Sequence, residues 1–366
     1  MNASPDEGSP VLDSLRPVHG VRRALAVGAL ALAGAAAVPS PAPAADGRDL
    51  YLVTLDGPGL SGLRTEEPPA LVDLRMRAQQ ARVLARVAAP SPVRTWRTAL
   101  NGFAVELTDG EAELLTAHPE VALVEPNEVR PLAAAGPERL AAIGPGGPGQ
   151  GGAGTVIGVV DSGIAPESRL FADVPHLGQQ PDDFHGTCAD GEGWDPDTCN
   201  GKLLAAEWFV DGFGADQLRA TALLSPLDTD GHGTQMASIA AGNADVAVRV
   251  PGQSLGQSLG SFGGMAPQAR LAIYKACWEA PDPADDGCAT ADLVTAIDRA
   301  TSDGVDVLSL SVGGPSEFDT VERALLGAAE ADVVVVAAAG NEGRAAYAGH
   351  PGPWVTTVGG TTAALR

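Results

Sequence analysis

The chain has 366 residues, of which 45% are hydrophobic, and its formal net charge is −23 at pH 7. This length and composition are those of a folded protein with room for two domains, and they exclude a disordered chain. The strong negative charge argues against nucleic acid or an anionic membrane as a partner.

The N-terminal residues predict an export signal. Arg22 and Arg23 precede an apolar run over residues 24–38, which is followed by the small residues Ala42-Pro43-Ala44. The run is shorter than the ~20 apolar residues that a membrane-spanning helix needs. The order of charged, apolar and small residues is that of a secretory signal peptide. We therefore expect residues 1–45 to be a signal peptide, no stable membrane span, and a secreted, extracellular protein.

Residues 46–131 predict a separate small domain. The predicted elements, in chain order, are strand 50–55, helix 70–87, strands 93–100 and 103–107, a short helix that opens at residue 108, and strand 121–125. The order βαββαβ is typical of a ferredoxin-like α+β sandwich. This domain holds no cluster of residues with catalytic chemistry.

Local signals predict three details of this small domain. Asn101-Gly102 predicts the hairpin turn between the two middle strands. Thr108 and Glu111 have the spacing of a capping box at the start of the second helix. The helical spacing of apolar residues predicts one buried face of the first helix, made of Leu71, Leu74, Ala78, Ala81 and Ala85.

Residues 132–366 predict an α/β domain. Continuous apolar runs at residues 155–161, 270–277, 305–310 and 333–338 predict strands that are buried on both faces. Helical patterns over 290–302 and 318–330 lie between them. This alternation predicts a parallel, doubly wound sheet with helices on both faces, in which ligands bind beyond the carboxyl ends of the strands. Asp161, Ser311 and Asn341 lie at or just after the carboxyl ends of three of the predicted strands.

Four cysteines form two local pairs in the α/β domain, Cys188 with Cys199 and Cys277 with Cys288. Neither pair has the close spacing of zinc ligands, and no other metal motif is present. We therefore predict two disulfides, which need an oxidising compartment. No cofactor is required by any motif, although the many surface carboxylates leave calcium binding open.

One stretch concentrates the chemistry, Asp228-Thr-Asp-Gly-His232-Gly-Thr234, at the start of a small-residue helical pattern. A single histidine in a glycine-rich turn is most often structural. Here Asp161 at a strand end lies upstream, and Asn341 in the sequence Ala-Ala-Gly-Asn lies downstream. Aspartate, then histidine, then an asparagine suited to an oxyanion is the chain order of one type of serine-protease triad, whose last member is serine.

From about residue 136 to its end the chain resembles the subtilisin-like serine proteases, or subtilases. It is most similar to their cucumisin-like branch, through Cys199-Asn-Gly-Lys-Leu-Leu204, Tyr274-Lys-Ala-Cys-Trp278, the segment 303–311 and Pro353-Trp-Val-Thr-Thr-Val358. The resemblance implies a serine endopeptidase in which Asp161 orients His232, His232 acts as general base and Asn341 donates to the oxyanion. The Asp161 and Asn341 positions, taken alone, are also those of turn-capping residues.

The same resemblance implies a substrate site and an inhibitor. Ser311, Val312 and Gly313 would pair with the backbone of protein or peptide substrates, and Ala339 and Gly340 would line the specificity pocket. Residues 46–131 would be a propeptide that acts as an intramolecular inhibitor and folding chaperone. We expect its removal by cleavage between about residues 130 and 136.

Two departures from the family pattern bear on activity. Gln235 stands where this branch usually has histidine, and the Gly-Thr-Ser-Met-Ala segment of the nucleophile is absent. We expect the serine to lie beyond Arg366, so that this chain is the N-terminal part of a precursor and is inactive by itself. The alternative is a non-catalytic subtilase-like protein that acts as an inhibitor or pseudoprotease. No His-Glu-x-x-His or paired-carboxylate motif favours a metal hydrolase.

Overall fold

The computed structural model describes residues 47–63, 67–133, 151–249, 258–315, 317–341, 343 and 348–360. The predicted signal peptide and the part of the predicted linker after Ala133 lie outside these ranges. Within them, none of the helices is long and apolar enough to cross a membrane.

The N-terminal domain, residues 47–130, begins with a four-stranded antiparallel sheet and two helices. Its elements are β1 (Asp49–Pro58), α1 (Pro69–Leu84), β2 (Arg94–Trp96), β3 (Leu100–Leu107), α2 (Asp109–Thr116) and β4 (Val121–Pro126), followed by the short strand β5 (Val129–Arg130). The sheet order is β2-β3-β1-β4, with β1 antiparallel to both of its neighbours. This is the predicted ferredoxin-like order, and the capping box of Thr108 and Glu111 is also confirmed.

The hairpin turn was predicted at the wrong place. It lies at residues 97–99, and Asn101-Gly102 is inside β3. Gly102 is needed there because a Cβ atom at this position would lie 2.6 Å from the Val53 carbonyl oxygen of β1. Asn101 Oδ1 accepts a hydrogen bond of 3.1 Å from Gln80 Nε2 of α1. The two residues therefore serve the packing of β3 and not a turn.

The predicted buried face of α1 is also wrong. Leu71 and Leu74 are 54% and 62% exposed, whereas the buried residues of the helix are Val72, Met76, Gln80 and Val83. Gln80 lies on the buried face because its amide nitrogen also donates to two backbone carbonyls, those of Trp96 and Gly102. A buried glutamine that is fully paired cannot be recognised from apolar periodicity.

The α/β domain, residues 151–360, is built on a six-stranded sheet of order β15-β14-β13-β6-β10-β7, with every pairing parallel. Its elements are β6 (Val156–Asp161), β7 (Leu203–Trp208), α3 (His232–Ala241), β8 (Val246–Arg249), β9 (Ser258–Phe262), β10 (Arg270–Lys275), β11 (Cys277–Trp278), β12 (Gly287–Ala289), α4 (Thr290–Asp303), β13 (Val307–Leu310), α5 (Thr320–Glu330), β14 (Val334–Ala338) and β15 (Val355–Val358). Residues of α4 and α5 pack in one hydrophobic core, and residues of α3 pack in a second one. The predicted doubly wound α/β fold is confirmed, although β7 and β15 were not predicted.

Both predicted disulfides are present, Cys188–Cys199 and Cys277–Cys288. The second joins β11 to β12 across an antiparallel pair. Strand β12 pairs on its other side with β5 of the N-terminal domain. The disulfide-linked hairpin is therefore one of the surfaces on which the two domains meet.

The two domains share a continuous hydrophobic core. Leu52, Trp96 and Leu100 of the N-terminal sheet are buried in the same cluster as α4 and α5. Trp96 Nε1 donates to Thr295 Oγ1 of α4 at 3.0 Å. The backbone amides of the turn at residues 97–99 reach Asp298 of the same helix, as described below. The N-terminal domain thus uses one face of its sheet to cover α4 and α5.

Candidate active site

Asp161 and His232 meet at the carboxyl edge of the sheet. Asp161 is the last residue of β6 and is fully buried, and His232 opens α3 and is 6% exposed. His232 Nδ1 lies 2.7 Å from Asp161 Oδ1. Because a carboxylate only accepts hydrogen bonds, Nδ1 carries the proton of this contact. His232 Nε2 has no hydrogen-bond partner among the described residues, so it is the ring nitrogen left to exchange a proton with a reacting group.

The start of α3 is packed directly on the strand end that carries Asp161. A Cβ atom on Gly233 would lie 2.4 Å from the Gly163 carbonyl oxygen, so only glycine allows this approach. Ser162 supports both sides, because its amide donates to Asp161 Oδ1 at 2.7 Å and its Oγ accepts from the Gly233 amide at 2.8 Å. Ser162 therefore supports the Asp161–His232 pair and is not itself a reacting residue.

Asp228 fixes the glycine-rich loop in front of α3, a role that was not predicted from the sequence. Its Oδ1 accepts from the Gly231 amide at 2.8 Å and from Ser162 Oγ at 2.9 Å. Its Oδ2 accepts from the amide of Thr234 at 2.9 Å. The signal for this role was the aspartate four residues before His232, a residue type that commonly caps turns and helix starts.

Burial and the partner charge act in opposite directions on the histidine. Burial lowers the pKa of His232, while the hydrogen bond and the charge of Asp161, the backbone of Ala133 and the charge of Asp230 together raise it by more, so this pKa lies above its ordinary value. Burial raises the pKa of the Asp161 carboxyl group, and the contact with His232 opposes that rise. The arrangement favours an imidazolium that is stabilised by a buried carboxylate.

The segment Ser311–Gly313, which we call the binding strand, pairs with residues 131–133, which we call the tail. The Ala133 amide donates to the Ser311 carbonyl at 2.9 Å, and the Gly313 amide donates to the Pro131 carbonyl at 3.4 Å. Between them Leu132 lies opposite Val312 in an antiparallel bridge. The backbone of Ala133 is near enough to His232 to contribute to its raised pKa. The tail therefore lies in the cleft beside the His232–Asp161 pair.

A small cavity beside the tail is lined by residues for which no role was predicted from the sequence. Leu132, Lys275 and Trp278 line it, and Lys275 pairs in register with Asp161 across β10 and β6. Lys275 Nζ donates to the Leu227 carbonyl at 2.5 Å and lies 4.3 Å from the centre of the Trp278 ring. Burial lowers the pKa of Lys275 to about 8. In the sequence, the sign of this buried lysine was its place in the apolar and aromatic motif Tyr-Lys-Ala-Cys-Trp.

Asn341, Ala339 and Gly340 lie at the same edge of the sheet, after β14, which is separated from β6 by β13. The Ala339 amide donates to the Val358 carbonyl at 2.9 Å. Gly340 has a positive φ of 94°, and Asn341 is exposed. The structure thus brings Asp161, His232 and the binding strand together around the tail. Asn341, Ala339 and Gly340 follow β14, which lies on the far side of β13 from β6.

Metal ligands are not grouped in the part of the chain that the structure describes. There, no set of three or more histidine, cysteine, aspartate or glutamate side chains is arranged to hold a metal ion. Calcium binding therefore stays a prediction from composition alone.

Comparison with protein-family models decides the family. Residues 152–364 match the model of the subtilase family. The chain belongs to the subtilases. Residues 51–133 match the model of the peptidase inhibitor I9, so this subtilase carries an N-terminal propeptide in front of the α/β domain.

Curated relatives cover most of this subtilase but extend far beyond it. The subtilisin-like protease SBT1.5 of Arabidopsis thaliana is 39% identical over 286 residues, which are 75% of this chain and 36% of the relative. The subtilisin-like protease SBT3.4 of the same plant is 38% identical over 291 residues, 74% of this chain and 37% of the relative. The chain thus spans a little over a third of the length of these relatives.

Among solved structures, fervidolysin from Fervidobacterium pennivorans, a keratinolytic enzyme related to subtilisin, is similar with a TM-score of 0.45 and 16% identity. The match covers 80% of this chain and 40% of that chain.

Proposed function

We propose that the chain is the N-terminal part of a secreted serine endopeptidase precursor that hydrolyses peptide bonds with an Asp161–His232–Ser triad. The observation that carries the proposal is the 2.7 Å contact between His232 and Asp161, made directly beside a chain segment that pairs with the binding strand as a substrate backbone would. The protease names of the relatives support the same reaction class, and the two disulfides support an oxidising, extracellular compartment.

In this mechanism Asp161 keeps the proton of His232 on Nδ1, so that Nε2 takes the proton of the attacking serine and later gives it to the leaving amine. Asp161 stabilises the imidazolium that forms between these steps, which agrees with the raised pKa of His232. The reaction needs no cofactor.

The nucleophile in this proposal lies beyond Arg366. No serine of the described residues bonds to His232 Nε2. Ser162 Oγ is occupied by Asp228 and the Gly233 amide, and Ser238 Oγ donates to the Thr234 carbonyl within α3. The chain by itself would therefore form no acyl-enzyme, because a triad without its nucleophile retains only weak residual catalysis.

Substrates are proposed to bind by strand addition on Ser311, Val312 and Gly313. Asn341 would donate its side-chain amide to the tetrahedral oxyanion, and Ala339 and Gly340 would form a wall of the pocket for the side chain next to the scissile bond. Loss of one oxyanion donor typically lowers the rate by ~10²–10³. Protein or peptide chains are the proposed substrates.

The tail points to the bond that the enzyme cuts in itself. In the antiparallel pair the Ala133 amide and the Pro131 carbonyl face the binding strand, and Ala133 is the residue of the tail whose backbone acts on His232. We therefore place the autoprocessing bond between Ala133 and Ala134, inside the range expected from the sequence. The match to the I9 inhibitor model ends at the same residue, 133, which supports a propeptide that ends two residues later than the 46–131 predicted from the sequence.

The proposal is tested on the gene product extended past Arg366. We expect a fluorophosphonate to label it, and mass spectrometry to find a mature N-terminus at Ala134. His232→Ala should abolish both results, and Asp161→Asn should slow labelling by ~10⁴ because the wrong tautomer is favoured. His185→Ala is the matched control, since His185 is exposed.

Two outcomes would count against the proposal. A mature N-terminus near Ala45 would remove the propeptide assignment. An extended protein that folds but is not labelled would favour the non-catalytic alternative, an inhibitor or pseudoprotease.

A further inference from the structure

A second buried histidine lies behind the binding strand. His350 is 3% exposed and Glu322 is 1% exposed. His350 Nδ1 lies 2.6 Å from Glu322 Oε1, and His350 Nε2 lies 2.9 Å from the Val312 carbonyl oxygen. The pair is separate from Asp161 and His232, and the proposed mechanism does not use it.

The two contacts fix where the protons are. A backbone carbonyl only accepts hydrogen bonds, so Nε2 of His350 must donate to Val312. A second proton lies between Nδ1 and the Glu322 carboxylate, because two bare acceptors at 2.6 Å would repel each other. In this arrangement the buried pair therefore holds two protons, and its Nε2–H faces the binding strand.

The binding strand is held from both edges. The Ser311 carbonyl and the Gly313 amide face the tail, whereas the Val312 carbonyl faces the opposite way and meets His350. Alternate backbone groups of an extended strand point to opposite edges. A donor that fixes the Val312 peptide plane therefore also fixes the direction of the two groups that face the cleft.

The surroundings of His350 leave it little freedom. A Cβ atom on Gly314 would lie 3.0 Å from His350 Cε1, so the ring packs directly on the backbone that follows the binding strand. His350 has a positive φ of 54°, a conformation that persists in a non-glycine residue only when neighbours impose it. Thr357 Oγ1 donates to the His350 carbonyl at 2.9 Å, which anchors the residue to β15.

Glu322 is anchored in the same way. Its amide donates to Asp319 Oδ1 at 2.8 Å, and its Oε2 accepts from the Gly352 amide at 3.3 Å. Asp319 in turn forms an ion pair with Arg130 of the N-terminal domain. Behind the histidine and Glu322 thus lies the Asp319–Arg130 ion pair.

We propose that His350 and Glu322 are positioning residues for substrate binding. His350 Nε2–H holds the Val312 carbonyl, and Glu322 sets the tautomer, so that the Ser311 carbonyl and the Gly313 amide point into the cleft. The proposal rests on the proposed function only in taking the binding strand as the substrate strand. Its contacts exist in the present chain with the tail as occupant.

The test uses residues 1–366 with the tail in the cleft, and follows exchange of the Ala133 and Gly313 amides by NMR. The double variant His350→Phe/Glu322→Leu removes the donor without leaving a buried charge unpaired, which keeps the fold stable. Glu322→Gln is the matched conservative variant, because its amide group can donate to Nδ1 and so keeps the proton on Nε2. Amides of β1 in the N-terminal sheet report global stability.

We expect the double variant to accelerate exchange of both amides about 10- to 100-fold, the effect of leaving the buried Val312 carbonyl without its donor. Exchange in β1 should stay unchanged, and Glu322→Gln should leave all of these rates near those of the unmodified chain. Nitrogen-15 spectra should show His350 Nε2 protonated. Unchanged exchange at Ala133 and Gly313, a uniform acceleration that includes β1, or a bare Nε2 would each overturn the proposal.

None of these measurements uses catalysis. A failure here would therefore leave the fluorophosphonate and N-terminus experiments intact, and failure of those experiments would not alter the exchange results.

Discussion

The contact between helix α5 and the turn at residues 97–99 offers a sharp test of how the propeptide is held. A Cβ atom on Gly327 would lie 1.7 Å from the Ala99 carbonyl oxygen and 2.4 Å from the Ala99 carbonyl carbon. Both are backbone atoms, which cannot rotate away. Gly327→Ala therefore forces the turn away from α5 by about 1.7 Å, since ordinary contact begins at 3.4 Å.

The size of the effect follows from what that displacement breaks. The amides of Thr98 and Ala99 both donate to Asp298 Oδ1 at 2.8 Å, and a shift of this size takes them out of hydrogen-bond range. Burial raises the pKa of Asp298 to about 6, although these amides oppose the rise. Asp298 is therefore ionised at neutral pH, and the displacement would remove two hydrogen-bond donors from a buried carboxylate. Two hydrogen bonds to a charged group contribute about 3–6 kcal/mol together. Local opening should then increase ~10²–10⁴-fold.

Hydrogen exchange followed by mass spectrometry measures this opening on the intact chain. In Gly327→Ala, we expect a peptide that covers residues 94–107 to exchange ~10²–10⁴ times faster than in the unmodified chain. Gly360→Ala is the matched control, because a Cβ atom there meets nothing within 4 Å. Exchange of the 94–107 peptide within about threefold of the unmodified rate would refute the reasoning, since no smaller displacement relieves the clash with backbone atoms.

Three further results are expected. Asp161→Asn should lower the pKa of His232 in an NMR titration, because burial is then opposed only by the Ala133 backbone and the charge of Asp230; an unmoved pKa would contradict the assignment. Burial lowers the pKa of both Lys202 and Lys275 to about 8, so the unfolded chain binds more protons above that pH and the free energy of unfolding should rise by up to ~1.4 kcal/mol per pH unit for each lysine from pH 8 to 9.5. Denaturant titrations should show that Lys202→Met loses about half of this rise, and an unchanged slope would refute the cause. Val83→Ala should lower the free energy of unfolding by about 2 kcal/mol, whereas Leu74→Ala should change it by less than ~0.5 kcal/mol; equal losses in urea would restore the predicted helix face.

The sequence predicted the parts of the structure that follow from periodicity and from compact motifs. The apolar run before Asp161 is a strand that is buried on both faces, as predicted, whereas the run before Asn341 is a strand with only one fully buried face, since Val334 is exposed. The Asp161–His232 contact was predicted from a glycine-flanked histidine and a strand-end aspartate together with the resemblance to the subtilases, which implied that the two residues meet. The capping box at Thr108 was found because both of its hydrogen bonds lie within four residues.

The errors fall where tertiary packing overrides a local signal. Asn101-Gly102 carries a hairpin signal, but Gly102 is required by the approach of Val53. Gln80 lies inside because its partners come from two strands that are distant in sequence. The role of His350 could not be predicted, because Glu322 and Val312 are 28 and 38 residues away from it.

Residues 129–133 form one run of main chain that is held at two places. Residues Val129–Arg130 pair with β12, and three residues later Ala133 pairs with Ser311. The five residues 129–133 must therefore stay stretched over ~16 Å, with their own amides and carbonyls turned outward. A helix or a tight turn cannot satisfy both anchors at once. In the proposed function, a compact substrate protein would have to open locally before it could be cut, so its local unfolding rate would set which bonds are reached first.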